Sequence, residues 1–116
     1  MERWDLLEID APDGTRDPAV LTSDQEGRAV LIRIGAGQQL GDHQVKEHAW
    51  IVVVEGSVRV RSGADEVEAG AGTLFRFDPD ERRTLASDRG ARILLLLCPW
   101  PGAGHYRAEE KATAGG

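Results

Sequence analysis

The sequence predicts an all-β protein, an antiparallel sandwich or barrel of short strands. Three observations carry that prediction. Apolar residues recur with a period of two, the signature of strands with one face buried. Glycine, proline, aspartate and serine cluster between those runs at short, regular spacing, where chain reversals fall. The chain is 116 residues long, which suits one domain around one core and leaves no room for a second.

In chain order, Trp4 to Ile9 reads as a leading strand, Asp10 to Gly14 with Pro18 as a loop, and Ala19 to Thr22 as a short strand. Val30, Ile32 and Ile34 then alternate with Leu31 and Arg33. The apolar run Trp50 to Val54 is closed by Glu55-Gly56. Val58 and Val60 alternate with Arg59 and Arg61, and Val67 and Ala69 with Glu66 and Glu68. Phe75 and Phe77 share one face, with Leu74 and Arg76 on the other. Arg82 to Ala86 and Ala91 to Cys98 are two further β-capable runs. Turn clusters separate them at Gly35-Ala36-Gly37, Glu55-Gly56, Ser62-Gly63, Gly70-Ala71-Gly72, Asp78-Pro79-Asp80 and Asp88-Arg89-Gly90. Pro99-Trp100-Pro101-Gly102 ends the last strand, because proline cannot donate to a ladder. One domain is expected over 1–106, with 107–116 a frayed tail of small and polar residues.

Charge and hydropathy narrow the partners. The net charge is −6, with 14 basic and 20 acidic residues of mixed distribution, so no basic face is available for nucleic acid. No segment reaches the roughly 18 consecutive apolar residues of a membrane span. The N-terminus lacks the apolar region of a secretory signal, and a cytoplasmic location is expected. The single cysteine, Cys98, follows Leu94 to Leu97 and reads as a small buried hydrophobe, not a nucleophile.

Gly41-Asp42-His43-Gln44-Val45, then Ala49 to Val54 and Glu55-Gly56, resembles the first motif of the cupin superfamily. Gly72-Thr73-Leu74-Phe75-Arg76-Phe77-Asp78-Pro79 followed by Arg82-Arg83 resembles the second. The resemblance spans about residues 28–98 and implies a double-stranded β-helix, a jelly-roll barrel open at one end. It also implies a metal site of three histidines and a glutamate. Of those four positions only the first is kept, as His43; Val45, Ala49 and Arg83 stand at the others. Residues 43 and 45 would share a strand face, but Val45 offers no lone pair, and the permanent charge of Arg83 repels a cation. Family relatives often pair through edge strands, so a homodimer is expected.

The candidate ligand pocket is His43, Val45, Glu47, Trp50, Phe77 and Arg83, with Gln44 a further polar group beside His43. Trp50, Phe75 and Phe77 also have a plain core reading at this spacing. Arg83 either points inward, where it needs Glu47, Glu55 or an acidic ligand as partner, or is solvated beside Arg82. No cofactor is expected. The alternative is a divalent metal, iron, manganese, zinc or nickel, held by His43 with Glu47, His48 or His105. His48 stands five residues from His43, an odd offset that separates them on a regular strand. Trp100, between two prolines, is placed either to cap the barrel mouth or to enter a subunit contact.

The function expected is binding of an unidentified small molecule inside a metal-free barrel, an acidic one if Arg83 points inward and neither Glu47 nor Glu55 reaches it. Two alternatives stand beside it. One is a cupin enzyme, either a metal-dependent oxygenase or isomerase with an unusual ligand set, or a metal-free lyase or isomerase using His43 as acid or base. The other is a structural module whose barrel is packed solid.

Overall fold

A computed structural model describes residues 1–11 and 14–102, apart from the side chains of 14–17, 42 and 43. The expected tail 107–116 and His105 lie outside the described residues. Eight strands form: β1 (Gly14–Ser23), β2 (Arg28–Ile34), β3 (Gln39–His43), β4 (His48–Ser62), β5 (Asp65–Gly70), β6 (Leu74–Phe77), β7 (Arg83–Ala86) and β8 (Ala91–Cys98). All pairings are antiparallel.

Two sheets share β4. Its first part pairs with β6 and β8, and β8 continues through β2 to β1. Its second part pairs with β5 and β7, and β7 continues to β3. Where β4 passes from one sheet to the other, its pairing with β8 shifts between Val53 and Glu55. Gly56 follows with φ of 80°, a conformation open to glycine. A Cβ there would collide with the carbonyl oxygen of Gly90, so glycine is required twice over. A bulge followed by a left-handed residue is how a strand turns the corner of a barrel.

Period-two alternation places the core. In the first sheet, Val30, Leu95 and Ile51 line up across β2, β8 and β4, as do Ile32, Ile93 and Val53 one step along. In the second, Leu40, Leu85 and Val60 form the matching row across β3, β7 and β4. These residues belong to or pack on one buried apolar cluster. Each fully buried aliphatic contributes about 1.5–3 kcal/mol by leaving water. The opposite face of β4 carries Trp50 and Val52, both half-buried, beside Leu74 at 60% exposure.

Three expectations change. Trp4 to Ile9 is a turn and not a strand: Asp5 accepts the amide of Leu7 on Oδ1 and those of Glu8 and Ile9 on its carbonyl, which curls the backbone. The loop expected through Pro18 is part of β1, whose pairing with β2 skips from Gly14 opposite Arg33 to Ala19 opposite Leu31. β1 is an edge strand, where the amide that proline lacks is not needed. Glu55-Gly56 is a bend within one 15-residue strand, not a turn between two.

Candidate functional site

Between the two sheets lies a cavity of about 200 Å³. Val30, Ile32, Ile51, Ile93 and Leu95 wall it from the first sheet, and Leu40 and Leu85 from the second. Val45, Pro18, Arg28 and Arg83 complete the lining. Every described contributor is therefore apolar except the two arginines.

Arg83 opens β7, where the burial pattern puts Arg83 and Leu85 on the buried face and Thr84 and Ala86 on the half-buried one. Strand parity thus carries the guanidinium inward. The residue is 5% exposed, and its Nε and Nη1 have no hydrogen-bond partner. Its Cζ lies 5.1 Å from the centroid of the Phe77 ring, a cation–π contact. Burial pulls the pKa of Arg83 down, and the field of Glu81 pulls it back up in part. The group stays charged regardless, since guanidinium does not deprotonate in proteins. Glu81 makes its hydrogen bonds elsewhere: Oε2 accepts the Ser62 hydroxyl at 2.6 Å and Oε1 the Asp78 amide at 3.0 Å.

The other candidate residues separate. Val45 is half-buried against the core and lines the cavity, and its carbonyl accepts the Asp80 amide at 2.7 Å, joining the loops of the two motifs. Phe77 is buried beneath Arg83 and stacks on Phe75 at 6.2 Å. Glu47 is 1% exposed and outside the cavity lining; its Oε2 accepts the amide of Gly102 at 2.6 Å, tying down the segment after β8. Trp50 is on the outward face of β4, with the His48 ring at 6.0 Å and the Arg76 Cζ at 5.6 Å. His48 Nδ1 is 3.4 Å from Arg76 Nη2 on that same face. His43 pairs through its backbone with Arg83 across β3 and β7, and its side chain lies outside the described residues.

Arg28 is the polar lining residue that motif reasoning missed. It shares strand parity with Val30 and Ile32, and that parity was the available signal. Its Cζ sits 4.5 Å over the ring of Trp100, which itself packs on the core cluster. Trp100 therefore meets the cavity's rim through Arg28.

Among the described residues the donor set does not fit the metal that the fold suggests. Val45 and Ala49 supply carbon alone, Arg83 supplies positive charge, Glu47 is engaged with Gly102, and His48 faces away from the cavity. Among the described residues no group of three or more His, Cys, Asp or Glu converges.

The curled antiparallel sheets and the cavity between them define the fold, a cupin-type double-stranded β-helix. A double-stranded β-helix protein from Klebsiella pneumoniae superposes with TM-score 0.75 at 14% identity, over 90% of this chain and 94% of that one. An RmlC-like cupin from Desulfovibrio desulfuricans gives 0.74 at 19%, over 85% and 97%. Another from Shewanella frigidimarina gives 0.67 at 22%, over 72% and 75%. No curated protein matches the sequence. Residues 28–115 match the AraC-like ligand-binding domain, and the chain belongs to that family.

Proposed function

We propose that this protein binds an acidic small molecule inside the barrel without a metal, with Arg83 as the anchoring cation. The observation that carries the reading is the pairing of a buried guanidinium lacking partners at Nε and Nη1 with an apolar cavity of about 200 Å³. A buried unpaired charge costs several kcal/mol, and a ligand anion is the partner that would offset it.

Untagged protein should hold no stoichiometric iron, manganese, zinc or nickel by mass-spectrometric elemental analysis. Small organic anions should raise its melting temperature, while ammonium cations of matched shape should not. A stoichiometric metal, or equal response to anions and cations, would overturn the reading. The reading includes a homodimer, supported by the outward apolar face of Trp50, Val52 and Leu74. Light scattering coupled to size exclusion should give the mass of two chains.

A further inference from the structure

We infer that the ligand is a monocarboxylate with a compact apolar body of about five to eight carbons, its carboxylate on Arg83 and its hydrocarbon part against the aliphatic walls. This rests on the reading of the barrel as an anion-binding site and narrows it to one chemical class. Size, polarity and charge each restrict the choice.

Size comes first. A cavity of about 150 Å³ is enough to hold benzene, so about 200 Å³ here admits one ring or a short branched chain plus a carboxylate. Larger bodies would have to displace the walls.

Polarity is more selective. Apart from Arg28 and Arg83, the described lining is proline, valine, isoleucine and leucine, with no hydroxyl, amide or carboxylate. A sugar in this space would bury hydroxyl groups without partners, which disfavours it. A second carboxylate on the ligand would meet either the aliphatic wall or the half-buried Arg28 at the rim, where water competes for it.

Charge then fixes the head group. Arg28 is half-buried at the rim beside Trp100, whereas Arg83 is 5% exposed and has unmet donors on two nitrogens. One cation with unmet planar donors matches one carboxylate, which accepts such bonds in pairs. A phosphate dianion would bring a second charge into the cavity, where Arg83 is the one buried cation among the described lining residues. Because the guanidinium is already buried and stacked on Phe77, little ordering remains to be done on binding.

Calorimetric titration of the full chain with hexanoate, benzoate, hexan-1-ol, adipate, hexyl phosphate and ribose tests this. Hexanoate and benzoate should bind roughly tenfold or more tightly than hexan-1-ol, the energy of a charge-assisted hydrogen bond. Adipate, hexyl phosphate and ribose should bind more weakly than hexanoate. Arg83→Met should keep affinity for hexan-1-ol and lose the preference for hexanoate, and Arg83→Lys should recover only part of it. Equal affinity for hexanoate and hexan-1-ol in the unaltered protein overturns the assignment, whether or not the variants fold. Tighter binding of hexyl phosphate or adipate overturns the monocarboxylate and leaves the anion site standing. If no probe binds, both readings fail together.

Discussion

Two arginines occupy the two ends of the barrel on opposite terms. Arg92, on β8, has a side chain 16% exposed. Its Nη1 donates to the carbonyls of Ile9 at 2.6 Å and Leu6 at 3.3 Å, and its Nε lies 3.8 Å from Glu55 Oε1. Arg83, at the other end, is more deeply buried, and its Nε and Nη1 have no partner among the described residues. The cleft beside Arg92 is also the larger, about 480 Å³ against about 200 Å³, and Arg33, Glu55 and Arg89 join it there. Volume alone would select the end whose arginine is already satisfied. What marks a site is a charge removed from water whose partner the fold does not supply, whereas Arg92 is satisfied by backbone and works as a clamp.

Removing each arginine should therefore have opposite consequences. Arg92→Met leaves two carbonyls without their donor and frees the turn around Asp5, so a loss of about 2–4 kcal/mol is expected from urea unfolding. Proteolysis near residues 6–9 should quicken with it. Arg83→Met replaces a buried unpartnered cation by a side chain of similar length, and a gain of about 1–3 kcal/mol is expected in the same measurement. Burial lowers the pKa of Arg83, so the charged form is the disfavoured one in the folded state. Both states keep that charge from pH 6 to 9, and the gain should be constant across the window. Should Arg83→Met lose as much stability as Arg92→Met, the two residues are alike and the anion site loses its support.

Much of this architecture was legible beforehand, for reasons that also explain the misses. The alternation of Val30, Ile32 and Ile34, and of Val58 and Val60, is local, and it reappears as the inward rows of the two sheets. The same parity places Arg83 with Leu85 and Arg28 with Val30, so the inward turn of both arginines was open to reading. Pro18 concealed β1 because proline usually marks a break, yet an edge strand tolerates it. Gly56 concealed the continuity of β4, since a left-handed residue reads as a reversal until its register with β8 is known. The role of Glu47 was out of reach: its partner Gly102 is 55 residues away, and no local pattern reports such a contact.

The smallest effect expected is at Glu81, which lies within the second motif and accepts hydrogen bonds from Ser62 and Asp78. The Ser62 hydroxyl first, then the Asp78 amide, and last the field of Arg83 hold its carboxyl below the ordinary value. An acid whose pKa is lower folded than unfolded contributes stability at neutral pH, and that contribution fades as pH falls from the unfolded value of about 4.3 through the folded one. Glu81→Gln keeps an acceptor for Ser62 but removes the charge. The variant should be less stable than the parent at pH 7, by less than either arginine effect, and the difference should close below about pH 4. Denaturant midpoints across pH 3–7 check the slope. The substitution also withdraws the one described acidic field felt by Arg83, so the stability gained through Arg83→Met should be larger in the Glu81→Gln background than in the parent. A double-mutant cycle with no coupling would mean that the carboxyl and the guanidinium are screened from each other, and that water already reaches the cavity.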